Sequence, residues 1–221
     1  MKKRHILILC CIQIIISCET IRHYKEVSSR EYIQKVSTIH YKDISGKEKP
    51  ILLNGFYKKS KNNKDMVPGY ERILVFYEDG TCARFLANLE GENNEPVDLT
   101  KVVKKSKSLS NGSTYWGVYE IKNDTLSANL YRRDLFGLDM GRLYFRIKDE
   151  RTIICFQEDD PQQVYDGEIA SWIANEECQF VEAYNIPMPR DKFLKKKKWY
   201  WENESDWEEY MLKRKKKKNS K

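Results

Sequence analysis

The feature that most constrains this chain is a two-residue alternation that recurs from Ile51 onward. Leu126, Ala128 and Leu130 alternate with Ser127, Asn129 and Tyr131. Leu143, Phe145 and Ile147 alternate with Arg142, Tyr144 and Arg146. Successive side chains of a strand point to opposite faces, so such a stretch buries one face and presents the other. A helix cannot use this period, because its buried positions recur every three to four residues.

Seven strands are predicted on this basis: Ile51–Tyr57, Tyr70–Tyr77, Thr81–Leu86, Tyr115–Lys122, Thr125–Arg132, Arg142–Ile147 and Thr152–Gln157. Glu78-Asp79-Gly80, Asn123-Asp124 and Asp149-Glu150-Arg151 join neighbours as tight turns, as antiparallel pairing requires. Regularly spaced antiparallel strands make a sandwich or a closed barrel. A barrel leaves no exposed edge to invite aggregation, so the expected class is mainly all-β, an antiparallel up-and-down barrel. Residues 162–183 read two ways, as a helix over Glu168–Asn175 or as strands Ile169–Ile173 and Gln179–Tyr184.

Upstream of the alternation the pattern is different. Lys2, Lys3 and Arg4 precede an apolar run from Ile6 to Ser17. A basic head before an apolar run of this length reads as a signal peptide. It is shorter than the roughly 20 residues a membrane-spanning helix needs. The run ends Ile15-Ile16-Ser17-Cys18, which resembles the lipobox of bacterial lipoproteins. That resemblance implies cleavage between Ser17 and Cys18 and a lipid on Cys18, hence an envelope address, most simply the outer membrane. Cys10 and Cys11 lack the small residue that Ser17 supplies before Cys18.

The expected organisation is a leader over 1–17, a polar tether over 18–49, a barrel over 50–189 and a basic aromatic tail over 190–221. Inside the tether, Ser28-Ser29-Arg30-Glu31 fits a capping box, with Tyr32, Ile33, Val36 and Ile39 following at helical spacing. A second short helix is predicted near Leu99–Lys105, and a third beginning after Ser205. The net charge of +7 is uneven, because residues 190–221 alone hold 13 Lys and Arg against 6 Asp and Glu. Basicity therefore belongs to the tail. Phe193, Leu194, Trp199 and Trp201 read as a packing strap ahead of a solvated basic end; the alternative is that this end contacts anionic headgroups or acidic glycans, while an envelope address argues against nucleic acid. After Cys18 three cysteines remain, Cys82, Cys155 and Cys178, with no C-x-x-C pair for structural zinc or thiol redox chemistry.

Gly55-Phe56-Tyr57, the hairpin through Asp79-Gly80, and Trp116 to Ile121 leading through Asn123-Asp124-Thr125-Leu126 resemble the lipocalin-like lipoproteins of Bacteroidetes. The likeness covers about residues 51–157, although Tyr57 stands where lipocalins proper carry Trp. It implies a barrel able to hold a small apolar or amphipathic ligand.

Catalytic machinery is sparse. No histidine lies between Ile51 and Lys221, so a Ser-His-Asp triad or His-ligated zinc has no imidazole in the barrel. No Gly-rich phosphate loop occurs. Glu158-Asp159-Asp160 with Asp166, and Glu92 with Glu95, are the carboxylates that could serve a glycosidase or bind calcium; each also reads as a solvated loop. Trp116, Tyr119, Tyr131 and Tyr144 are candidate ligand-lining residues. The expected function is a non-catalytic binding or interaction module without a cofactor. The alternatives are a glycan hydrolase working through loop carboxylates and a structural partner of envelope proteins acting through the tail.

Overall fold

The structure is a computed structural model and describes residues 29–59, 70–89, 96–106, 114–133, 138–165, 168–189 and 192–219. The leader, Ser17 and Cys18 lie outside the described residues. In order, the elements are α1 (Arg30–Val36), β1 (Gly55–Lys59), β2 (Tyr70–Phe76), β3 (Thr81–Asn88), β4 (Val97–Asp98), α2 (Leu99–Ser106), β5 (Tyr115–Lys122) and β6 (Thr125–Arg133). Then come β7 (Leu138–Asp149), β8 (Thr152–Tyr165), β9 (Glu168–Tyr184), α3 (Lys192–Lys195), a 3-10 turn (Lys198–Tyr200) and α4 (Glu204–Asn219).

Eight strands form the expected antiparallel up-and-down barrel, in the order β1-β2-β3-β5-β6-β7-β8-β9, with β9 pairing back to β1. Its architecture is lipocalin-like. The two-residue β4 lies outside the cycle, parallel to the end of β9. The tight turns Glu78-Asp79-Gly80, Asn123-Asp124 and Asp149-Glu150-Arg151 fall at one end of the barrel. Gly80 takes φ +87° and Asn123 φ 57° there, the left-handed backbone that such turns demand. The opposite end receives the longer connections, and there β8 and β9 are joined through two residues.

The alternation places two apolar sets. Leu74, Phe76, Tyr119, Leu126, Leu130, Leu143, Phe145 and Phe180 face the interior and are buried. Its tight-turn end is plugged by Ile51, with Leu52 and Leu53 packed beside it. These three residues do not extend β1, which begins only at Gly55. Tyr57 fixes the plug: its hydroxyl donates to Glu150 O at 2.7 Å and accepts from Leu52 N at 3.0 Å.

The outer faces of β2, β3, β5, β6 and β7 carry a second apolar set that includes Ile73, Val75, Phe85, Trp116, Tyr131 and Met140. This set explains one departure from the expected organisation and accounts for the expected packing strap. From Ser29 on, the stretch expected as a tether packs against the barrel: Ile33, Ile39 and Tyr41 are buried. The start of the tail does the same through Leu194, Trp199 and Tyr200. Tyr200 stacks on Tyr41 at 5.8 Å and meets Tyr131 edge-on at 6.1 Å. Backbone bonds from Tyr41 N to Tyr200 O and from Glu202 N to Tyr41 O tie the two segments together. With its amide turned so that the oxygen faces the backbone, the buried Asn129 accepts from Ile39 N at 2.9 Å and Thr38 N at 3.1 Å; beside it the Tyr131 hydroxyl donates to Ser37 Oγ at 3.0 Å.

Residues 168–184 form a single long strand, so neither a helix nor two separate strands is present. Likewise β8 continues through Tyr165, since the bulges in its pairing with β9 near Phe156 and between Asp160 and Val164 absorb the breaks in alternation. α1, α2 and α4 agree with the predicted helices, with Ser29 capping α1 through Tyr32 N at 3.2 Å. α4 buries no residue; it is held at its base, where Tyr210 packs on Trp201 at 5.3 Å.

If the strap is structural, Trp199→Ala removes a buried aromatic and should cost about 3–5 kcal/mol in urea unfolding. Trp207→Ala, on the partly exposed α4, should cost less than about 1 kcal/mol. Equal effects of the two substitutions would contradict this placement.

Candidate functional site

At the end opposite the tight turns, every strand of the barrel contributes one polar residue to a collar. β1 supplies Lys59, β2 Arg72, β3 Arg84, β5 Tyr115, β6 Arg132, β7 Asp139, β8 Glu158 and β9 Glu176. Lys59, Arg72, Arg84, Glu158 and Glu176 line the same cavity as Leu74, Leu143 and Phe145 beneath them. Three ion pairs hold the collar. Lys59 meets Glu176 at 2.5 Å and Arg132 meets Asp139 at 2.6 Å, each between adjacent strands. Arg84 meets Glu158 at 2.8 Å. β3 and β8 lie four strands apart in a cycle of eight, so this last pair spans the lumen as a crossbar.

Tyr115 organises one side. Arg84 and Arg132 both lie over its ring, 4.7 and 4.9 Å from the centroid, as cation–π contacts favour. Its hydroxyl donates to Asp139 Oδ2 at 2.6 Å. Burial first, and the Asp139 carboxylate second, push the phenol up to about 12. It therefore stays protonated, as that hydrogen bond requires.

The bulge at Phe156 sets where the carboxylates point. Cys155 pairs with Phe145 and Gln157 with Tyr144, so Cys155 and Glu158 both reach the cavity although three residues apart. Asp159 then faces outward, buried beside Arg142 at 3.9 Å, and accepts from Gln157 Nε2 at 2.9 Å. Asp160 accepts from Gln163 Nε2. The acidic run is thus dispersed along a strand, and its three carboxylates do not share a loop. Asp166, Glu92 and Glu95 lie outside the described residues. Among the described residues no three His, Cys, Asp or Glu side chains group to hold a metal ion.

The four aromatic candidates separate by strand parity. Tyr119 faces the interior but sits near the plugged end, where its hydroxyl donates to Tyr77 O. Trp116 is on the outer face against Phe85, and Tyr131 is on the outer face under Trp199 and Tyr200. Tyr144 is half-buried, beside Phe156. The structure does not bring these four together. The collar was missed because its members lie in separate strands with no local motif; the available signal was a charged side chain on an otherwise apolar face, as at Arg84 and Arg132.

Below the collar the interior is filled. The cavity is about 40 Å³, room for water rather than for an organic molecule, since ordinary ligand pockets run to about 300–1,000 Å³. Cys155 and Cys178 line it as thiols, and none of Cys82, Cys155 and Cys178 is in a disulfide. Comparison with protein families, with curated proteins and with solved structures finds no match to this chain.

Burial lifts the Cys155 and Cys178 thiols from 9.0 to about 12, and the Tyr57 and Tyr131 phenols from 10.0 to about 12. The folded chain keeps these protons while the unfolded chain loses them from about pH 9 upward. Stability is therefore complete below about pH 9 and falls as the pH rises towards 12. Alkaline titration of the urea midpoint should show that decline. At pH 8 the thiols should resist iodoacetamide until urea unfolds the protein. Rapid labelling of native Cys155 or Cys178 would contradict their burial.

Proposed function

We propose that the protein is a lipid-anchored lipoprotein of the bacterial cell envelope, probed here at the level of its barrel as a non-catalytic binding module. The observation that carries the binding reading is the collar: a ring of charged and aromatic groups at the open end of a closed barrel, above an interior already filled by side chains. Recognition therefore falls on the rim, and an amphipathic ligand would present its polar part there. The lipid anchor rests on the likeness of Ile15-Ile16-Ser17-Cys18 to a lipobox. Several acyl chains together hold a protein stably on a bilayer, at roughly 0.8 kcal/mol per buried methylene.

The basic half of α4 is a second, weaker contact in this reading. Lys213 to Lys218 lie exposed, and each cation near an anionic surface contributes roughly 1 kcal/mol. The helix has no buried face, so such a contact is electrostatic and salt-sensitive.

Metabolic labelling with a palmitate analogue tests the anchor. The wild-type protein should incorporate label and fractionate with the outer membrane, whereas Cys18→Ala should do neither. Label retained by Cys18→Ala would overturn the lipoprotein reading.

A further inference from the structure

The collar holds four cations, Lys59, Arg72, Arg84 and Arg132, against three carboxylates, Asp139, Glu158 and Glu176. Three of the cations are paired in the ion pairs described above. Arg72 has no ion-pair or hydrogen-bond partner among the described residues, although it lines the same cavity. In the β2–β3 register Arg72 is opposite Leu86 and Leu74 is opposite Arg84. Arg72 and Arg84 are therefore diagonal neighbours on the lumenal face, about 7–8 Å apart by sheet geometry. Two like charges thus share one side of the lumen, and among the described residues Glu158 is the carboxylate paired across it, to Arg84. A third guanidinium, Arg132, stands across the Tyr115 ring with its buried Nε unpartnered.

We propose that the Arg72–Arg84 side of the collar binds the oxyanion of a small ligand, a carboxylate, sulfate or phosphate group, and that Glu158 is the internal competitor for it. A guanidinium presents its donors in a planar fork that matches two oxygens of such a group. An anion there would offset two like charges on one side of the lumen. Glu158 is placed to yield, since its side chain is 39% exposed while Arg84 is 14% exposed; the glutamate can turn to water while the arginine stays on Tyr115. Trp172 is opposite Glu158 in the β8–β9 register. It stands 48% exposed on that face, an apolar surface beside the oxyanion for the rest of the ligand. A sugar acid or a glycerol phosphate would fit this pairing of charge and aromatic ring. The 40 Å³ below keeps the ligand at the rim.

This inference rests on the binding-module reading but not on lipidation, so failure of the Cys18 labelling experiment would leave it standing. Isothermal titration of the full-length protein in neutral detergent tests it, with inorganic phosphate, glycerol phosphate and galacturonate as separate probes at low salt. At least one should saturate a single site, and the one preferred distinguishes a phosphate ester from a sugar acid. Arg72→Gln should weaken binding about tenfold, as loss of one charge-assisted contact predicts. Glu158→Gln should tighten it, because the resident carboxylate no longer competes; a purely structural crossbar would move affinity the other way. Lys47→Gln, far from the collar, should change nothing. The proposal is overturned if no probe saturates by about 10 mM, if Arg72→Gln binds like wild type, or if Glu158→Gln weakens binding while keeping the wild-type melting temperature.

Discussion

The seam between β1 and β9 is the constraint on which the rest of the structure depends. Five register pairs close it, from Gly55 with Glu182 to Lys59 with Cys178. Without them the sheet would be open, with two edges exposed to other chains. The seam also explains Gly55. A Cβ there would fall 2.1 Å from Val181 O and 2.7 Å from the Phe180 ring, so any side chain would push the strands apart where the barrel closes. Closure then fixes the lumen, and the lumen fixes which residue of each strand reaches the collar.

Eight strands enclose a space that side chains can fill, and the aromatic interior fills it here. Phe76 packs edge-on against Tyr57, Tyr119 and Phe145 at centroid distances of 5.8, 5.1 and 6.4 Å. A filled interior stabilises the barrel and at the same time removes the usual ligand cavity of its architecture. The outer face has the opposite problem, because too many of its positions are apolar to meet water. The segment 29–41 and residues 193–201 cover it. The first begins near the open end, where Tyr32 bonds Pro161 O, and leads on to Ile44 beside the Asp79-Gly80 turn at the other.

The strands and hairpins were legible because a strand with one wet face writes its parity into the sequence. Leu126 to Tyr131 and Arg142 to Ile147 are the clearest cases; both keep that parity, although Asn129, Tyr131 and Arg142 on the outer face are buried rather than wet. The tail half of the strap was legible in its composition, since Phe193, Leu194, Trp199 and Trp201 mark it for packing and do pack; the half from Ser29 to Tyr41 was not, because its few apolar residues sit among polar ones. What the sequence does not give is the receiving surface, which Tyr41 and Tyr131 supply. β8 and β9 hid their length because their bulges interrupt the alternation that would have marked them. The collar was the least visible feature. Its residues are spread from Lys59 to Glu176 and share only a height on the barrel, which no linear pattern encodes.

The placement of these parts bears on what the anchor permits. α1 begins at Arg30, and its Tyr32 reaches Pro161 on the stretch of β8 that continues past the collar. The described chain therefore begins at the collar end, while Trp201 and the base of α4 lie towards the tight-turn end, where Lys195 pairs with Asp79 at 3.1 Å. From Cys18 to Ser29 the backbone spans at most about 40 Å at full extension. That reach exceeds the roughly 30 Å of a nine-residue strand such as β6, so a lipid on Cys18, as proposed, leaves the barrel free to turn either the collar or α4 to the bilayer.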